Sequence, residues 1–104
     1  MKEQRIQYEI VMWLQSNGYY FFSVPNEAAR KGNFQATGMR AGVSDLVLVL
    51  PGKVIFVEVK NEIGRQRPGQ KLFQEKVTAL GHQYVVVRSV QDMKDFLPIV
   101  ERKY

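Results

Sequence analysis

Apolar residues recur with two different periods along this chain, and the changes of period divide it into elements. From about Glu3 to Asn17, Ile6, Ile10, Trp13 and Leu14 form one stripe at helical spacing, which predicts an amphipathic helix closed by Gly18. Tyr19 to Val24 is aromatic and β-branched and reads as a strand ended by Pro25. Asn26 to Ser44 has no clear period and carries Gly32, Gly38 and Gly42 among basic residues. A long loop of this kind within a small domain is usually functional or disordered; a short helical turn over residues 27–30 is one option. Two apolar runs follow, Asp45 to Leu50 and Lys53 to Lys60, parted by Pro51-Gly52, a hairpin signature. Asn61 to Arg67 is a polar, basic loop. Pro68 suits the first turn of a helix running to about Leu80 and packing through Leu72, Phe73, Val77 and Leu80. Gln83 to Arg88 predicts a strand. Val90 to about Glu101 predicts a last helix that Pro98 kinks or ends early.

This order predicts an α/β fold, a small central mixed sheet flanked by helices, in one domain over residues 1–104. Trp13, Phe21, Phe22 and Phe73 are expected in the core, and His82 in a structural or exposed position. With 45% hydrophobic and 24% charged residues, the composition is that of a globular protein rather than a disordered one. Cysteine is absent, which excludes disulfides and thiolate metal sites and fits a reducing cytoplasm. One histidine does not make a zinc site of the usual kind. No apolar run is long enough to span a membrane, and the polar start, Met1 to Arg5, does not resemble a signal peptide. The net charge of +5 favours an acidic partner, nucleic acid above all.

The hairpin concentrates the candidate chemistry. Counting back from Pro51-Gly52, Leu50 faces Lys53, Leu46 faces Val57 and Asp45 faces Glu58. Directly opposed residues have β-carbons about 4.5–5.5 Å apart, so two carboxylates stand side by side. That is unfavourable unless a cation lies between them, and oxygen ligands suit Mg2+ or Mn2+. Strand alternation puts Lys60 on the same face as Glu58. A Pro-Gly turn prefers type II geometry, and a longer turn would shift this register. The plain alternative is that Asp45 caps the strand while Glu58 and Lys60 lie on a solvated face. Against it, Glu58 lies in the almost wholly apolar run from Val54 to Val59, where a carboxylate needs a partner or a metal.

Gly42-Val43-Ser44-Asp45-Leu46, then Phe56-Val57-Glu58-Val59-Lys60, then Gly64-Arg65 with Gln70 resembles the VRR-NUC branch of the PD-(D/E)XK nucleases, with twelve residues between Asp45 and Glu58. The likeness extends through Ile6-Gln7 and Val24-Pro25-Asn26 and covers most of the chain, from about Glu3 to Arg88. It departs at Ser44, where the family usually has proline. The resemblance implies a restriction-endonuclease-like core. It implies that Asp45, Glu58 and the carbonyl of Val59 ligate Mg2+ or Mn2+, with Lys60 orienting the attacking water or stabilising developing charge. Gln70 would be an accessory active-site residue, and the first helix would contribute Gln7, ahead of Glu3 or Glu9. Arg30, Lys31, Arg40, Arg65, Arg67 and Lys71 are candidate phosphate contacts. The implied function is structure-selective cleavage of branched DNA, Holliday junctions foremost. A homodimer is expected, through Tyr19 to Phe22 or the last helix, in the cytoplasm of a bacterium or phage-infected host. A general or restriction-like endonuclease and a non-catalytic DNA-binding module are the alternatives.

Overall fold

A computed structural model describes residues 1–24 and 42–101. Its elements are α1 (Glu3–Ser16), β1 (Tyr20–Ser23), β2 (Leu46–Leu50), β3 (Lys53–Val59), α2 (Pro68–Ala79), β4 (Gln83–Val87) and α3 (Val90–Glu101). The possible turn at residues 27–30, with Arg30, Lys31 and Arg40, lies outside the described residues.

The four strands form one mixed sheet in the order β1-β2-β3-β4, antiparallel except for β3 and β4. The hairpin has the two-residue turn counted from the sequence, with Leu50 opposite Lys53 and Leu46 opposite Val57. Gly52 takes a φ of +73°, the left-handed value that the residue after proline needs in such a turn.

Alternation along the strands divides the sheet into two faces. Leu46, Leu48 and Leu50 of β2 join Ile55, Val57 and Val59 of β3 on one of them. Ile6, Ile10 and Leu14 of α1 and Met93, Leu97 and Val100 of α3 complete this core. On the other face, Phe73 of α2 meets Phe56 edge-on at 5.2 Å between ring centres, beside Tyr84.

The structure corrects three expectations. Leu72 and Leu80 do not pack inward but are 54% and 75% exposed. The Phe73–Phe56 contact fixes α2's rotation, and Val77, one turn on, follows Phe73 inward. Phe22 is half-exposed rather than buried, because it alternates with core-facing Phe21 on an edge strand. Nor does Pro98 end α3, which continues to Glu101. So near the end, proline removes only one helical bond, and the Lys53 ammonium donates to the Val100 carbonyl.

Candidate active site

The site forms where β2 begins and β3 ends. Asp45 lies one residue outside the paired ladder. Strand geometry sends successive N–H groups to opposite edges. The Lys60 N–H donates to the Val87 carbonyl of β4 at 3.0 Å, so the Val59 N–H points the other way. It donates to Asp45 Oδ2 at 2.7 Å. The Asp45 side chain thus takes the bond that another residue of β2 would have taken. Just before it, Ser44 is fully buried and its hydroxyl donates to the Leu46 carbonyl at 3.1 Å.

Glu58 is 1% exposed. Its Oε2 accepts from Gln70 Nε2 at 2.8 Å and lies 3.5 Å from the Lys60 ammonium. Its Oε1 is buried without a hydrogen-bond partner among the described residues. Burial, then the neighbouring Asp45 charge, push the Glu58 carboxyl up to about 8, although Lys60 opposes this. Burial also raises Asp45, against the Val59 N–H and Lys60, while the charge of Glu3 adds to the rise. Two acids share one buried ammonium here, so the site lacks positive charge.

Gln70 belongs to the first turn of α2. Its Oε1 accepts the Arg67 N–H at 2.8 Å, which closes the helix start and leaves Nε2 facing Glu58. Gly42, with φ +84°, lies against this turn: a β-carbon there would stand 2.4 Å from the Gly69 carbonyl oxygen. The segment carrying Asp45 and the helix carrying Gln70 are thereby pressed together. Next to them, Gln66 Nε2 donates to Gln74 Oε1 at 2.9 Å and to the Tyr84 hydroxyl at 3.1 Å. Tyr84 is raised to about 12, mainly by burial.

From α1, the charge of Glu3 reaches Asp45. A β-carbon on Gly64 would lie 2.9 Å from Glu3 Oε2 and 3.4 Å from Lys60 Cδ. Gln7 is half-buried one turn along, and its side chain makes no hydrogen bond to another described residue. Both residues share a helical stripe. The helix's first turn meets the loop after Lys60, and that favours Glu3. Arg65, Arg67 and Lys71 are exposed around the start of α2. Arg88 was not singled out by sequence, yet its Nη1 donates to the carbonyls of Asn61 at 2.6 Å and Gly64 at 2.7 Å.

A divalent cation fits this donor set. Glu58 Oε1 is an orphaned buried acceptor beside a second carboxylate, and Mg2+ commonly takes only one or two carboxylates with water. No cluster of three or more Asp, Glu or His side chains suited to a metal occurs among the described residues.

No family model matches the chain. Over 62 residues it is 44% identical to "Putative nuclease p44" of Acyrthosiphon pisum secondary endosymbiont phage 1, a stretch that is 59% of this chain and 66% of that protein. The chain thus spans just under two thirds of that relative. A solved structure named VRR_NUC domain superposes with a TM-score of 0.68 at 27% identity, over 100% of this chain and 99% of its own. In fold, and at this identity in sequence, the chain is similar to a VRR-NUC domain. A second structure, named VRR_NUC domain protein, has a TM-score of 0.75 at 19% identity, over 97% of this chain and 86% of its own, and speaks to the fold alone. The VRR-NUC reading also accounts for the restriction-endonuclease-like sheet flanked by helices. No helix among the described residues is long and apolar enough to cross a membrane.

Proposed function

We propose that this VRR-NUC-like domain, acting as one unit over residues 1–104, is a metal-dependent endonuclease that hydrolyses phosphodiester bonds in branched DNA, Holliday junctions foremost. The observation that carries the reading is the unpartnered Oε1 of Glu58, a carboxylate buried beside Asp45 whose other oxygen lies 3.5 Å from the Lys60 ammonium. Asp45 and Glu58 would hold Mg2+ or Mn2+, with the Val59 carbonyl as a further donor. Such a cation supplies Lewis acidity to the phosphate oxygens. The Lys60 ammonium orients the attacking water or offsets charge gathering on the phosphate. Gln70 holds Glu58 in place through its amide. Exposed Arg65, Arg67 and Lys71 receive flanking phosphates, as do Arg30, Lys31 and Arg40.

A junction offers two symmetry-related strands, which suits a two-fold dimer. Tyr20 and Phe22, 73% and 50% exposed on edge strand β1, support that strand as the contact. The phage relative supports action in the cytoplasm of a bacterium or infected host.

The test is cleavage of a mobile four-way junction and of linear duplex with Mg2+ or Mn2+. Wild type should cut the junction preferentially. Asp45→Ala and Lys60→Ala should each lose about a hundredfold or more, the scale of removing one charge-stabilising group. Equal cutting of both substrates would make it a general or restriction-like endonuclease. Binding without cutting by all three proteins would make it a DNA-binding module.

A further inference from the structure

Ile63 is 82% exposed, the most of any large hydrophobic side chain described. A single exposed isoleucine is ordinary on a protein surface. What distinguishes this one is how firmly its backbone is held, and where. The segment Asn61–Gly64 leaves the sheet directly after Lys60. It closes on itself, with the Ile63 N–H donating to Asn61 Oδ1 at 3.2 Å and the Gly64 N–H to the Asn61 carbonyl at 3.3 Å. Arg88 then grips both ends through its bonds to the Asn61 and Gly64 carbonyls. The Glu62 carboxylate beside Ile63 is exposed, so water and salt screen its charge. Exposed Arg65 and Arg67 follow at once.

The backbone is therefore fixed while the apolar side chain stands in water, between the candidate catalytic lysine and two cations suited to phosphates. β-branching leaves isoleucine little rotamer freedom to lose on contact. Aliphatic side chains placed in this way open base steps by partial insertion, at least cost where stacking is already broken.

We propose that Ile63 is a substrate-reading wedge: it inserts at the unstacked step of branched DNA next to the phosphate to be cut, with Arg88 as the positioning residue that holds its loop. This deepens the nuclease reading above and rests on it. The selectivity for branches would then come from a base step that Ile63 can enter, with the carboxylates indifferent to DNA shape.

The test uses a four-way junction carrying 2-aminopurine at the branch, bound in EDTA so that nothing is cut, and linear duplex as control. Wild type should raise the fluorescence on the junction. Ile63→Ser should abolish the rise and weaken junction binding about tenfold, the scale of one aliphatic side chain left unburied, with duplex binding unchanged. Ile63→Leu should retain the rise, and Arg88→Ala should reduce it. The proposal is overturned if Ile63→Ser keeps both the rise and the preference for junctions, or if wild type gives no rise. Failure of the nuclease reading shows separately, as absence of cutting with Mg2+ or Mn2+ while the fluorescence response persists.

Discussion

Gly42 and Gly69 meet backbone to backbone, three residues before Asp45 on one side and one before Gln70 on the other. No other residue fits at Gly42 without strain, since it combines a φ of +84° with a neighbour 2.4 Å from any added β-carbon. Gly42→Ala should cost about 1–3 kcal/mol for the backbone conformation alone, and more for the clash. Denaturant unfolding should show that loss. Cleavage should fall further than stability, because the contact sets the spacing of Asp45 and Gln70.

Gln70 and Gln66 separate structural from functional glutamines. Gln70→Ala removes the acceptor for the Arg67 N–H and the donor to Glu58, and should cost about 1 kcal/mol of stability, as for a lost helix cap. It should also lower the cleavage rate at saturating DNA. Gln66→Ala breaks the bridge to Gln74 and Tyr84 and should lower stability without that rate effect. A rate loss of equal size in both variants would contradict the assignment.

Glu58 gives the metal-free protein a definite pH response. Its carboxyl titrates near 8 when folded, against an ordinary value of 4.5. Between these values the folded state binds more protons than the unfolded chain, so stability falls as pH rises from about 4.5 to about 8. Unfolding midpoints in EDTA at pH 5 and pH 8 should show the decline, and Glu58→Gln should flatten it. Mg2+ or Mn2+ competes with that proton, so metal should stabilise the protein more at pH 8 than at pH 5.

Phe22 tests the proposed dimer. Phe22→Arg places a charge in the half-exposed patch on β1 and should shift the protein from dimer to monomer on sedimentation. Its side chain lies outside the main core, so the melting temperature of the separated monomer should change little. A wild-type monomer would count against the interface.

The hairpin was legible because Pro51-Gly52 fixes its turn and one slip would carry the leucines of β2 out of the core. From that register the closeness of Asp45 and Glu58 could be counted. The rotation of α2 was not legible, because Leu72 and Phe73 are adjacent on the helix and only the position of Phe56 selects between them. Phe22 gave the pattern of a buried aromatic. Its exposure follows from β1 being an edge strand, which only the assembled sheet reveals. The nearness of Glu3 to the loop after Lys60 was not legible beside Gln7 for a similar reason. They lie one turn apart on one stripe, and the tie is broken by a distant loop meeting α1's first turn. Arg88 gave no signal because its partners are backbone carbonyls, which carry no residue identity.

Asp45, Glu58, Lys60 and Gln70 all lie within one uninterrupted stretch of chain, spanning a tight hairpin and the helix that follows it. Short-range contacts close with little loop entropy and so form early during folding. These candidate groups would therefore assemble before β1 or α3 docks. Substitutions within β2 and β3 should slow refolding, whereas those in α3 should chiefly speed unfolding, a division that paired folding and unfolding rates would reveal.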